Sequence, residues 1–404
     1  MSEPVLIAGG GIGGLSSALS LGLKGIPVSV LEGAPEFGAI GYGIQLGPNV
    51  FPMFERLGIT EAVLSKSILP DACVMLDAFT GEEIVRVPTQ NSLRARFSHP
   101  YVVIHRIDLH NALLDACRNV SAIDLVPEAQ VTAYEDHGDR VTLNTADGRS
   151  FTGTALIGAD GLRSVVRAKV VNDGEPKPIG YVAHRTIVPM QELPRGVMTN
   201  VVVLWAGPGF HIVHYPLRDH TLFNIVAVFK TATYDTKGDL AAYRAEIDRT
   251  YANAHPAMKG LLDMMDLDRR WTISDRDPVR HWAKGRVTVL GDAAHPTLQT
   301  FAQGACMAIE DGVTVSDYIA QSPHDIPAAL SGFARARYIR TGRIQIESRR
   351  VWEDYHAEGV ARDVMMQAYR EMTEADVFRC LAWIYDGAEL PDGGKTSKLK
   401  RAIG

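Results

Sequence analysis

Short β-branched runs alternate with segments of helical period in the first third of the chain. Pro4-Val5-Leu6-Ile7-Ala8 ends a run of apolar positions at a string of glycines, the pattern of a parallel strand covered on both faces. From Leu15 to Lys24 the apolar positions recur at helical spacing, and Gly25 stands where a C-cap belongs. Val28 to Leu31 is a second buried strand closing on Glu32, so the N-terminal segment spells one βαβ unit. Met53 to Leu64 reads as a helix, Tyr101 to His105 as a strand and Ile107 to Arg118 as a helix. Between Gln130 and Thr152 apolar and polar residues alternate as in hairpins, with turns at His137-Gly138-Asp139 and Ala146-Asp147-Gly148. Ala155 to Gly158 is another short strand, and Ser164 opens a helix.

The style changes between Tyr181 and Phe229, where Val, Ile, Thr and aromatic residues dominate and Pro and Gly separate the runs. That stretch predicts an antiparallel sheet. Arg286 to Leu290 returns to a buried strand, Gln303 to Ala320 is helical, and after Pro327 the helical pattern continues nearly to Asp386, before a polar tail from Asp392 to Lys400. A β-rich region lying between pieces of one nucleotide-binding fold implies a discontinuous domain plan. Arg335, Arg337, Arg340, Arg343, Arg349 and Arg350 are interleaved with Glu347 and Glu353, so they read as a solvated or paired helix face rather than an anion site.

Composition narrows the classes. Apolar residues make up 46% and charged ones 22% of 404 residues, the balance of a globular protein with room for two or three domains. A net charge of −6 leaves no basic face for nucleic acid or an anionic membrane. Cys73, Cys117, Cys306 and Cys380 are too scattered for a disulfide framework or a metal site, which suits a reducing cytoplasmic location. No basic segment precedes the first apolar run, no stretch approaches a membrane span, and no internal repeat is found.

Gly9-Gly10-Gly11-Ile12-Gly13-Gly14 matches GxGxxG at Gly9, Gly11 and Gly14. Glycine is needed there for a tight turn, for approach of the backbone to a pyrophosphate, and for close helix–strand packing. The motif follows a strand, opens a helix and is answered by Glu32, whose carboxylate can accept from ribose hydroxyls. On those residues alone NAD and FAD both remain open. Two more stretches put a carboxylate at the end of a parallel strand, where ligands of open α/β sheets sit: Gly158-Ala159-Asp160-Gly161 with Leu162-Arg163-Ser164, and Gly291-Asp292-Ala293-Ala294-His295-Pro296.

With these three motifs in order, the chain resembles the flavin-dependent aromatic hydroxylases of the p-hydroxybenzoate hydroxylase type. The resemblance covers the chain to at least Arg340 and implies non-covalent FAD. It puts the FAD pyrophosphate on the GxGxxG loop, assigns Asp160 to FAD and NAD(P)H together, and assigns Asp292 to the ribityl chain. It also matches Arg106 to a flavin-contacting arginine. Gly304 and Ala305 would open a helix facing the flavin pyrimidine, where the helix dipole favours the anionic reduced ring. Cys306 beside them reads as a small packing residue. The expected fold is α/β, a Rossmann-like FAD-binding domain with an inserted β-rich substrate domain and C-terminal helices. Residues 1–75, 100–175 and 271–345 would form the FAD-binding domain, 76–99 and 176–270 the substrate domain, and 346–404 the C-terminal helical segment.

Within that family the matching stretches are those of the 3-hydroxybenzoate 6-hydroxylases: Pro100-Tyr101-Val102-Val103-Ile104-His105-Arg106, His211-Ile212-Val213-His214-Tyr215-Pro216-Leu217, and His295-Pro296-Thr297-Leu298-Gln299. The resemblance makes Tyr101 and Tyr215 substrate-binding and His211 and Gln299 catalytic. It also implies NADH and O2 as cosubstrates and gentisate (2,5-dihydroxybenzoate) as product. The chemistry gives these residue types a reason. The oxygen-transferring species of the family is an electrophile, and an ionised phenol directs electron density to the para carbon. A phenol pKa of about 10 must fall by about three units to ionise at neutral pH, worth roughly 4 kcal/mol. His211, supported by Gln299, can supply this as a general base. His211 and Tyr215 share a strand face, whereas His214 points the other way and reads as structural. For the substrate carboxylate Tyr101 and Tyr215 can donate, and Arg185 is a candidate cation, the alternative being an ion pair. Salicylate 1-hydroxylase and 6-hydroxynicotinate 3-monooxygenase are the sister activities, and a non-oxygenating flavin reductase or redox-sensing flavoprotein is the rival of another class. Trp352, Tyr355, Phe378, Trp383 and Tyr385 would either build a homodimer interface or cover the chain's own FAD domain.

Overall fold

A computed structural model describes residues 3–38, 41–232, 239–267 and 269–387; the polar tail from Asp392 lies outside them. Strand β1 (Val5–Ala8), helix α1 (Ile12–Gly22) and strand β2 (Val28–Leu31) form the expected βαβ unit. The helix starts at Ile12, earlier than its apolar period suggests, with Gly11 as its N-cap. It stops at Leu23, and Gly25 takes its left-handed φ of +74° in the following turn. A six-stranded sheet surrounds this unit in the order Ala283–Lys284, Val287–Val289, Ala155–Gly158, β1, β2, Ile123–Val126, all parallel except its first strand. The interior strands are apolar along their whole length because helices cover both faces.

A second sheet has seven strands in the order Trp271–Asp275, Lys177–Pro189, Leu222–Lys230, Phe210–Leu217, Val202–Gly207, Ala72–Asp77, Glu83–Pro88. Its antiparallel part spans the region read from the alternation after Tyr181. Ala72–Asp77 joins it in parallel with Val202–Gly207, and that strand runs across the 75/76 division expected from sequence. Along Phe210–Leu217 the pleat sorts the side chains. Phe210 and Ile212 pack into a core with Tyr243, Tyr251 and Met258 from the helices Leu240–Thr250 and Pro256–Leu262, while His211, Val213 and Tyr215 face the other way. A three-stranded sheet, Gly43–Leu46, Val102–His105 and Ser67–Ile68, bridges the two large ones.

Several expected elements are subdivided. The helix read over Met53–Leu64 is two, Phe51–Leu57 and Thr60–Leu64, broken where Gly58 adopts φ +70°. The long C-terminal helix is three, Ile326–Tyr355, Gly359–Arg370 and Glu374–Tyr385, the last started by a capping box between Thr373 and Asp376. The arginine run is paired, but not on a solvated face throughout: Arg337 is buried between Glu310 and Asp311, Arg340 bonds Glu310, and Arg349 bonds Asp275. The five C-terminal aromatics serve the chain itself. Phe378 and Tyr385 pack on Phe97, Trp352 and Tyr355 stand edge-on to His211, and Arg343 lies 4.0 Å over the Trp383 ring. No helix among the described residues is long and apolar enough to cross a membrane.

Candidate active site

A cavity of about 540 Å3 runs along the C-terminal ends of the parallel strands. Gly9, Gly11, Glu32, Arg106, Asp160, Asp292, Gly304 and Ala305 all line it. Gly14 lies beneath it: a Cβ there would sit 2.0 Å from the Gly9 carbonyl oxygen, so its job is packing. Gly9 holds φ +104°, and a Cβ on it would meet Ala159 at 2.5 Å. Gly11 differs from both. A Cβ on it meets nothing of the described residues within 4 Å, so packing within the chain does not call for glycine there, whereas close approach of a ligand would. Helix α1 begins after Gly11 and the helix Gly304–Gln321 after Gln303, and neither N-terminus receives a side-chain cap. Their first N–H groups therefore face the cavity as two unneutralised dipole ends, suited to a pyrophosphate and to an anionic ring.

The carboxylates differ in how far the chain already uses them. Glu32 accepts from the Gly10 and Ala34 N–H groups at 2.8 and 2.9 Å, which fixes its orientation at the cavity edge. Asp160 accepts from the Ser164 hydroxyl and the Val165 N–H, so it caps the helix Val165–Val170 while it lines the cavity. Burial raises its pKa, opposed by those bonds. Asp292 is exposed to the cavity and has no bond within the described residues. Its turn is held from below, since the Gly291 N–H donates to Asp311 at 3.0 Å. Arg106 opens the helix Arg106–Arg118, and its N–H is tied to the Tyr42 carbonyl at 2.8 Å. A glycine cradle, two open helix ends and a ribose-type acceptor fit a dinucleotide such as FAD.

A second cavity of about 550 Å3 lies between the seven-stranded sheet and the C-terminal helices. Its wall is largely apolar, with Val74, Met75, Val85 and Leu204 among the lining side chains. Tyr101 and His211 line it, Tyr215 lines the first cavity, and Gln45, Val213, Gln299 and Ala302 line both. These shared residues are the seam. Ala302 there is held at φ +53°, a left-handed conformation that a side chain adopts only under constraint. Gln45 links the two tyrosines: Tyr101 donates to its Oε1, and Gln45 also bonds Tyr215. Burial pushes both phenols above their ordinary range, so each is a neutral donor at physiological pH.

His211 is 2% exposed, and burial, with His356 second, holds its pKa well below the usual imidazole value. It is a neutral ring with Nε2 at 3.5 Å from Gln299 Nε2 and Nδ1 at 2.8 Å from His356 Nε2. Arg185 donates from Nη2 to Gln299 Oε1 at 3.0 Å and has no carboxylate partner among the described residues. His214 turns to the other face, where it accepts from the Trp205 indole at 3.0 Å, and burial lowers its pKa to about 3. Cys306 is buried, its thiol pushed up to about 12 by desolvation. Gln45 and His356 escaped the sequence. Gln45 is one polar residue in a short strand, and His356 follows a helix whose end carries no glycine or proline signal.

Residues 2–324 match the family model described as an FAD binding domain. The 3-hydroxybenzoate 6-hydroxylase of Polaromonas naphthalenivorans is 40% identical over 382 residues, 95% of each chain. The enzyme of the same name from Klebsiella oxytoca is 39% identical over 95% of this chain and 96% of its own. Among solved structures, HpxO of Klebsiella pneumoniae complexed with FAD and uric acid is 26% identical, with a TM-score of 0.83 over 94% of this chain and 95% of that one.

Proposed function

The chain belongs to the FAD-binding aromatic-ring hydroxylases, flavin-dependent monooxygenases, and from that membership we propose that it converts 3-hydroxybenzoate and O2 to gentisate with NADH as reductant. Bound FAD would supply the redox chemistry that joins oxidation of the coenzyme to oxygenation of the ring. The chain's own residues bind, orient and deprotonate. Gly9, Gly11 and Glu32 hold the nucleotide end, Arg106, Asp160 and Asp292 the middle, and Gly304 and Ala305 the flavin edge. The substrate occupies the apolar cavity, whose wall excludes water from the reacting carbon. Its phenol faces His211, which takes the O–H proton on Nε2, while Gln299 supports the resulting phenolate. The carboxylate is met by the Tyr101 hydroxyl in that cavity and by the Tyr215 hydroxyl from the adjoining one.

One observation carries this reading: His211, a neutral base on the wall of the apolar cavity, stands 3.5 Å from Gln299, which lines both that cavity and the dinucleotide cavity. Position 6 of the substrate is para to its hydroxyl, the carbon that ionisation at His211 enriches. His211→Ala is the test. Substrate should still bind and stimulate coenzyme oxidation, because those steps need occupancy alone, but gentisate yield should fall and hydrogen peroxide replace it. Losing about 2 kcal/mol at the transition state slows hydroxylation roughly thirtyfold, and Gln299→Ala should act in the same direction more weakly. Full coupling in an FAD-loaded His211→Ala protein would assign the histidine to packing.

A further inference from the structure

The hydrogen bonds around His211 form a chain whose direction is fixed from one end. Arg185 is a donor only, so the Gln299 atom facing it is the amide oxygen. The amide nitrogen of Gln299 then points at His211 Nε2, and an amide nitrogen also only donates. His211 Nε2 must therefore be the acceptor, which puts the ring proton on Nδ1. That proton is directed at His356 Nε2, 2.8 Å away, and His356 must accept it. His356 in turn carries its own proton on Nδ1, a buried atom without a hydrogen-bond partner among the described residues. Every step follows from one cation that cannot accept.

We propose that His356 is a positioning residue for the hydroxylation, holding His211 as the Nδ1–H tautomer so that its Nε2 lone pair faces the phenol. This rests on the reading of His211 as the phenol's base. When substrate enters, its O–H takes the place of the Gln299 amide at Nε2. The O–H bond breaks, the proton goes to Nε2, and the bonding pair stays on the phenolate oxygen. The positive charge that appears on His211 is then shared along the Nδ1–H bond into His356. A second imidazole does here what a carboxylate does behind many catalytic histidines. It does so without importing a permanent charge into a buried site, where an unpaired carboxylate would cost several kcal/mol. His356 must be neutral to accept, and burial lowers its pKa to about 4, with Lys230 acting in the same direction.

His356 reaches this position through the fold. It follows the helix Ile326–Tyr355 as its C-cap, and its carbonyl accepts from the Gly209 N–H at 3.2 Å, pinning the helix end to the turn that begins the His211 strand. Tyr181, Trp352 and Tyr355 surround the pair of rings, and Lys230 and Glu358 are the charged groups nearby. None of these supplies a second acceptor to His211 Nδ1. Removal of His356 would free His211 to rotate or to adopt the Nε2–H form, which presents a donor where a base is needed.

The test uses the FAD-loaded enzyme with histidine labelled in 15N, compared among wild type, His356→Gln and His356→Leu. In wild type the His211 signal should be that of a ring protonated on Nδ1. His356→Gln keeps an acceptor and should keep that tautomer; His356→Leu should lose it. Titration of bound 3-hydroxybenzoate by phenolate absorbance gives the functional arm. The ionisation of bound phenol should move up by about one unit in His356→Leu, tenfold less phenolate at a given pH, and stay near wild type in His356→Gln. A wild-type His211 protonated on Nε2, or a tautomer and ionisation unchanged in FAD-loaded His356→Leu, overturns the proposal. His211→Ala separates this from the reading beneath it. Unchanged phenol ionisation in that variant removes His211 as the base, whereas a shift there with none in His356→Leu removes His356 alone.

Discussion

At the scale of single residues, the glycine loop separates two jobs that a motif lumps together. A Cβ on Gly14 would overlap the Gly9 carbonyl, so Gly14→Ala should lower the stability of the protein with or without FAD. A Cβ on Gly11 touches nothing in the chain, so Gly11→Ala should melt like wild type as apoprotein yet bind FAD at least about tenfold more weakly, ~1.4 kcal/mol. Thermal melts and flavin-fluorescence titrations on the two variants check this; equal FAD affinity in Gly11→Ala would remove the ligand from that loop. Glu32→Lys should also release FAD, because it replaces an acceptor with a cation. The glycines were legible because steric need writes itself as glycine, and Glu32 because an acid at fixed distance from that loop is the residue type suited to ribose hydroxyls. His211 and Gln299 became readable only through resemblance, since a strand histidine and a loop glutamine are common. Gln45 and His356 were not legible at all. Their roles depend on bonds to Tyr101 and His211, which lie 56 and 145 residues away along the chain.

Among the elements, the helix Gly304–Gln321 and the helix Ile326–Tyr355 are locked together by ions rather than by apolar packing alone. Arg337, 1% exposed, bonds Glu310 and Asp311 at 2.8 and 2.7 Å, and Asp311 also accepts from His295 and from Gly291 in the turn that carries Asp292. The cluster therefore joins stability to the flavin site. Arg337→Leu should cost about 3 kcal/mol, because it takes one cation from two buried carboxylates and leaves Glu310 to Arg340 and Asp311 to His295, and it should loosen FAD by freeing the Asp292 turn. Its pH signature has a definite sign. Burial raises the Asp311 carboxyl, but His295 and Arg337 overcome this and hold it at about 2. Its contribution, about 2 kcal/mol, is present above the ordinary carboxylate pKa and lost as pH falls from about 4 toward 2. Urea unfolding between pH 5 and 2.5 should show that loss in wild type and less of it in Asp311→Asn; parallel slopes would contradict the assignment. Sequence periodicity gave these helices their approximate spans. It missed the breaks at Gly58 and before Thr373, and it missed Ala72–Asp77, Glu83–Pro88 and the helix Asn91–Phe97, because short half-buried elements carry little periodic signal.

For the whole molecule, the parallel sheet and the seven-stranded sheet each carry one cavity, and the proposed function depends on the seam between them. The alternating pattern after Tyr181 foretold a second sheet, and residues 76–99 were expected to join its domain, but the strands Ala72–Asp77 and Glu83–Pro88 that extend it were not read, since pairing partners far apart in sequence leave no mark on either. The cavity proposed for FAD lies along the parallel sheet, and the apolar cavity proposed for the substrate shares Gln45, Val213, Gln299 and Ala302 with it. Occupancy of the second cavity should therefore be felt at the flavin: NADH oxidation should rise at least tenfold when 3-hydroxybenzoate is added, and equal rates with and without any aromatic acid would instead describe a simple flavin reductase. The most direct test of the central claim combines that assay with product analysis. The FAD-loaded enzyme is given NADH, O2 and each of 2-, 3- and 4-hydroxybenzoate in turn, and product is counted against coenzyme consumed. The expected result is gentisate from 3-hydroxybenzoate with close to one product per NADH, and hydrogen peroxide or no turnover with the other two. Hydroxylated product from 2- or 4-hydroxybenzoate in preference, or coenzyme consumed from 3-hydroxybenzoate without any gentisate, would contradict it.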